Sequence, residues 1–117
     1  MRTSQYKLNT SLQNQIEKTL AQTVADIKNV NEAEIFLKDF FTNSELETFS
    51  KRLAIAYWLK KGRSYTNIKQ NLKVSSATIA DLSEQMSKKG FILALKKIEA
   101  EEWANQWAQK FQKFVKK

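Results

Sequence analysis

Proline is absent from the 117 residues, and glycine occurs only at Gly62 and Gly90. These two residue types are the strongest interruptions a helix can meet. A chain almost free of them favours helices throughout, and the apolar spacing agrees. From Ser11, the residues Leu12, Ile16, Leu20, Val24 and Ile27 recur about once per helical turn, which predicts a long amphipathic helix over 11–28. Asn29 and Asn31 mark a break. A second helix is expected over 32–41, burying Ile35, Phe36, Leu37 and Phe40.

Thr42 and Glu45 form a T-x-x-E capping box, in which each side chain satisfies an orphan amide of the other residue. It announces a third helix over about 43–61. The segment LAIAYWL (Leu53–Leu59) is apolar on nearly every side, which places this helix at the centre of the fold. Gly62 should stop it from the position just outside the helix. Lys60 and Lys61 suit the negative end of its dipole.

The most informative stretch follows, residues 64–89. Ile68 and Leu72 lie one helical turn apart, and Ile79, Leu82 and Met86 continue a second buried stripe. Val74 falls between the two patterns, where a short turn must cross a core. Ser64 and Ser75 each offer an N-cap oxygen. The spacing predicts a helix-turn-helix, closed by Gly90 after Lys88 and Lys89. Its second helix presents small, polar residues: Ser76, Ala77, Thr78, Ala80 and Asp81. Such a helix tip can approach a major groove closely. A plain helical hairpin shows the same pattern, so the motif alone leaves both readings open.

The last segment predicts a helix over 91–116, with apolar positions at Phe91, Leu95, Ile98, Trp103, Trp107, Phe111 and Phe114. At helical spacing this stripe packs either into the chain's own core or across a dimer interface. Aromatic area on that scale is a liability when exposed. Intertwined subunits are therefore expected, with residues 11–28 and 91–116 serving packing and dimerisation. The whole reads as one all-α domain over 1–117, with about six helices.

The formal net charge is +8. Residues 1–40 are balanced, 41–90 hold nine bases against four acids, and 91–117 hold six against three. The surplus thus lies in and after the helix-turn-helix, which suits a polyanionic partner. With neither cysteine nor histidine, the chain lacks the ligands of a zinc site, a disulfide framework and the usual nucleophile–base pairs. It also lacks a glycine-rich phosphate loop. These absences argue against an enzyme, a metal site and a bound cofactor. No apolar run has the length of a membrane span or the form of a signal sequence, so a cytoplasmic location without membrane attachment is expected.

The segment from Leu37 to Met86, just under half the chain, resembles the Trp repressor-like helix-turn-helix family, including its YerC/YecD-like branch. The likeness rests on FFTNSELE, on KRLAIAYWLKKG with Arg52 and the Gly62 stop, and on SYTNIKQNLKVSSATI. The resemblance implies an intertwined all-helical homodimer that binds duplex operator DNA. It places DNA-facing positions on Lys69, Ser76, Ala77, Thr78 and Ala80. Two arginines of the family hold a tryptophan corepressor. One is matched by Arg52, but the other falls on Asp81, and the small glycine beside it falls on Leu82. A carboxylate-bearing amino-acid corepressor is therefore not expected. Arg52 stays a ligand-binding candidate, against the plainer reading that it pairs with Glu47 or Asp39. A base-reading arginine is matched by Thr66, and a turn glycine by Lys73.

The expected function is thus a homodimeric regulator of transcription, a repressor by resemblance, bound to the major groove of double-stranded DNA. Lys69, Lys73, Ser75, Ser76, Ala77, Thr78 and Ala80 form the DNA-binding set. Lys60, Lys61, Arg63, Lys88 and Lys89 are candidates for phosphate contact. With no arginine, asparagine or glutamine in the first turn of the second helix, backbone and shape readout should dominate. The competing reading is a helical protein-interaction module without DNA binding, motivated by Asp81 and Glu84 on the same helix.

Overall fold

A computed structural model describes residues 7–115, with side chains described through Glu102 and at Asn105. The described residues form six helices and no strand: α1 (Thr10–Ala25), α2 (Val30–Phe40), α3 (Asn43–Lys60), α4 (Tyr65–Leu72), α5 (Ser76–Gln85) and α6 (Lys89–Val115). The chain divides into two compact units, Met1–Asn43 and Ser44–Lys117. The stripe at Trp103, Trp107, Phe111 and Phe114 falls outside the described side chains.

In the first unit, asparagines start both helices. Asn9 Oδ1 accepts from the Ser11 amide at 2.8 Å, and Asn29 Oδ1 accepts from the Glu32 amide at 2.8 Å. Each oxygen satisfies an amide that has no partner within its helix. Helix α1 ends three residues before the expected Lys28. Ile27 consequently leaves the helical stripe.

Neither α1 nor α2 buries a residue. Leu12, Ile16, Leu20 and Val24 are all at least 43% exposed. The expected burial of α2 is corrected likewise: Ile35 is 57% and Phe40 58% exposed, Leu37 is exposed, and Phe36 is half-buried. Two helices alone cannot enclose a core, so the apolar periodicity marks a face and not a covered one. The rings of Phe36 and Phe40 stack at 5.0 Å, with Phe41 edge-on to both.

The second unit has the buried core. Ile55 of α3, Ile68 of α4, and Ile79 and Leu82 of α5 form one cluster, with Trp58, Leu59, Leu72, Val74 and Phe91 packed against it. Leu95 of α6 is also buried. Helix α3 is less enclosed than its sequence predicts. Only Ile55 and Ala56 are buried, whereas Leu53 is 40% exposed and lines a groove.

The end of α3 follows from Gly62, whose φ of +83° lies in the left-handed region. Its amide donates to the Leu59 carbonyl at 3.0 Å, and the Arg63 amide donates to the Trp58 carbonyl at 3.1 Å. This pair of bonds is a Schellman closure. Gly90 behaves differently from expectation. It lies in the first turn of α6, with φ outside the left-handed region. Helix α5 ends at Gln85, and the link to α6 runs through Met86–Lys88 without a glycine.

Candidate nucleic-acid interface

Helices α4 and α5 pack directly on each other and are joined by Lys73, Val74 and Ser75. Ser64 Oγ caps α4 by accepting from the Asn67 amide at 3.1 Å. Lys73 takes φ 56° and ψ 51°, the only left-handed non-glycine among the described residues. Its amide closes α4 on the Lys69 carbonyl at 3.0 Å. The chain then reverses, so that Val74 meets the core cluster. Ser75 Oγ caps α5 through the Thr78 amide at 3.1 Å and lies 2.9 Å from Thr78 Oγ1. One hydrogen bond of the Thr78 hydroxyl is thereby directed at Ser75.

Ile68 and Ile79 are fully buried beneath this turn. All seven residues of the expected DNA-binding set are exposed above it. Five of them stand on the capped helices α4 and α5, and Lys73 and Ser75 lie in the turn between. Lys69 and Lys73 form no ion pair among the described residues. The tip of α5 is small: Ser76, Ala77 and Ala80 reach little beyond the backbone. Asp81 follows on the exposed side, where its Oδ2 accepts from Gln85 Nε2 at 2.9 Å.

The remaining basic candidates separate by partner. Lys60 Nζ lies 2.7 Å from Glu99 Oε1, and Lys61 Nζ lies 3.2 Å from Glu102 Oε2. Lys61 also sits over the Tyr57 ring at 5.5 Å. The hydrogen bond from Lys60 holds the Glu99 carboxyl below its ordinary range against the opposing effect of desolvation, with help from the charges of Lys60, Lys61 and Lys96. Arg63 stacks on Trp58 at 4.0 Å and reaches Asn67 Oδ1 at 3.5 Å. It is exposed but held in place. Lys88 and Lys89 are exposed.

Arg52 does not form the expected pair with Glu47, which instead binds Lys51 at 3.1 Å. Arg52 lies over the Phe91 ring at 5.7 Å, since α6 brings an aromatic face to α3. Both line a groove of about 480 Å³ with Phe49, Leu53, Gln85 and Lys88. The sequence reading assigns no partner role to Trp58, Asn67 or Gln85. Only Asp81–Gln85 and Arg63–Asn67 leave a sequence trace, the four-residue spacing of helix neighbours.

The family model of the Trp repressor protein matches residues 15–99, which include the whole of α4, α5 and their turn. The chain belongs to the Trp repressor protein family. No curated protein and no solved structure matches it. This Trp repressor family member has no group of acidic, histidine or cysteine side chains able to hold a metal among its described residues. None of its described helices is long and apolar enough to cross a membrane.

Proposed function

We propose that this Trp repressor family member is a homodimeric, duplex-binding transcriptional regulator that inserts the tip of α5 into the major groove. One observation carries the reading. The small exposed turn Ser76–Ala77–Thr78 is anchored by buried Ile79 and flanked by Lys69 and Lys73, exposed cations with no ion pair among the described residues. Ammonium groups beside a helix tip supply phosphate contacts, and the helix amides at Ser76 add a further anion-seeking edge. Thr78 keeps its methyl for a thymine while its hydroxyl is held by Ser75.

The dimer is supported by the exposed α1 stripe, which a second copy would cover. Two copies of α5 would then meet successive major grooves, about 34 Å apart. The reading treats residues 1–117 as one DNA-binding domain of the YerC/YecD-like branch, a repressor rather than an enzyme, acting in the cytoplasm. Its effector is not an amino acid of the tryptophan type: Asp81 adds negative charge, and Leu82 is packed into the core. Arg52 and its groove remain the ligand-binding candidate.

Fluorescence anisotropy on labelled duplex tests this reading. With about three phosphates contacted per subunit, log affinity should fall against log salt with a slope near −5. Lys69→Glu with Lys73→Glu should abolish retention without loss of helicity. Binding without salt dependence would reject the proposal. Asp81 and Glu84, both exposed on α5, favour the second reading, a protein-interaction module. Absence of duplex retention by the unaltered chain would support it.

A further inference from the structure

Asp81 is the residue of α5 least suited to a polyanion, yet it is exposed, one turn beyond Ala77 and Thr78. A carboxylate only accepts hydrogen bonds, and phosphate oxygens have none to give. The hydrogen-bond donors that a duplex shows in its major groove are the amino groups of cytosine and adenine. Facing a groove, Asp81 is repelled by the backbone everywhere except where an amino edge meets it.

Its placement is not arbitrary. Gln85 Nε2 holds Oδ2 at 2.9 Å, and the opposite amide orientation would set two oxygens against each other. The second carboxylate oxygen, Oδ1, has no protein donor among the described residues. Ser76, Ala77 and Ala80 are short, and the Thr78 hydroxyl is engaged by Ser75. Asp81 is thus the first side chain beyond the tip that combines reach with a charged acceptor oxygen.

We propose that Asp81, positioned by Gln85, is the specificity-determining residue of α5, accepting a hydrogen bond from the N4 amino group of a cytosine. This rests on the reading of α5 as the DNA-contacting helix. The carboxylate acts in two directions. It rewards one cytosine per half-site and penalises sequences that offer no amino group there. Gln85 acts through Asp81 by holding its carboxylate, and is a positioning residue.

The test is selection from a random duplex pool with the full chain and with Asp81→Ala, Asp81→Asn and Gln85→Ala. The unaltered chain should enrich a cytosine at one position of each half-site. Asp81→Ala should lose that preference and bind random duplex roughly tenfold more tightly. Asp81→Asn should move the preference to adenine, whose N6 and N7 suit an amide. Gln85→Ala should weaken the cytosine preference while leaving retention of random duplex intact. An unchanged selected sequence in Asp81→Ala, with helicity preserved, overturns this assignment alone. An unaltered chain that retains no duplex overturns the DNA-binding reading together with it.

Discussion

Lys60 of α3 and Glu99 of α6 meet through a charged hydrogen bond of 2.7 Å, and the neighbouring pair Lys61–Glu102 repeats the contact at 3.2 Å. These two rungs fasten the last turn of α3 to α6. They also take up two cations that the sequence would assign to a nucleic-acid partner.

The Lys60–Glu99 rung makes stability depend on pH in a stated direction. The folded chain holds the Glu99 carboxyl below its ordinary value, chiefly through the bond from Lys60. A depressed acid contributes stability in full above its unfolded pKa. That contribution is lost as pH falls through the lower folded value. Lys60→Met should therefore lower the melting temperature at neutral pH and match the unaltered chain in strong acid. A carboxyl-resolved NMR titration should show Glu99 returning toward the ordinary glutamate range in that variant. A melting difference equal at every pH would contradict the assignment.

The same rungs divide the lysines by role in binding. Lys60→Met with Lys61→Met should leave the salt slope of duplex binding near −5. Lys69→Met with Lys73→Met should reduce it to about −2, because each subunit would lose two of three phosphate contacts. Equal effects from both pairs would show that the α6 acids do not withhold Lys60 and Lys61.

The two glycines should respond oppositely to alanine. Nothing lies within 4 Å of a Cβ built at either, so conformation alone decides. Gly62→Ala must hold a side chain at φ +83° and should cost about 1–2 kcal/mol. Gly90→Ala lies inside a helix and should stabilise by up to about 1 kcal/mol. Urea unfolding of the two variants checks both signs.

Lys73 invites the reverse experiment. Its left-handed backbone suggests that Lys73→Gly would raise stability by up to about 1 kcal/mol. The gain would be reduced by the looser unfolded chain. Duplex affinity should fall in the same variant, because the ammonium is lost. Calorimetry and anisotropy moving in opposite directions would separate the turn's conformation from its charge; parallel losses would show that the lysine supports the turn.

Local rules made much of this chain legible. Ser64, Ser75 and Gly62 act through residues within five positions of themselves, so spacing was enough to place the caps and the Schellman stop. The helix-turn-helix was legible for the same reason, since Ile68, Leu72, Ile79 and Leu82 repeat at helical intervals. Gly90 departs from the pattern because glycine ends a helix only when its backbone turns left-handed, a property of conformation rather than composition.

What the sequence determined by itself was the set of helices, most of their caps and the buried stripe of α4 and α5, all consequences of short-range backbone and side-chain chemistry. Only the tertiary structure decided which cations stay free. Lys60 and Glu99 are 39 positions apart, and Arg52 and Phe91 equally so; no periodicity encodes such meetings. They arise because Phe91 of α6 packs against the core cluster that holds Ile55 of α3, which brings α6 against α3, and proximity then selects which charges pair.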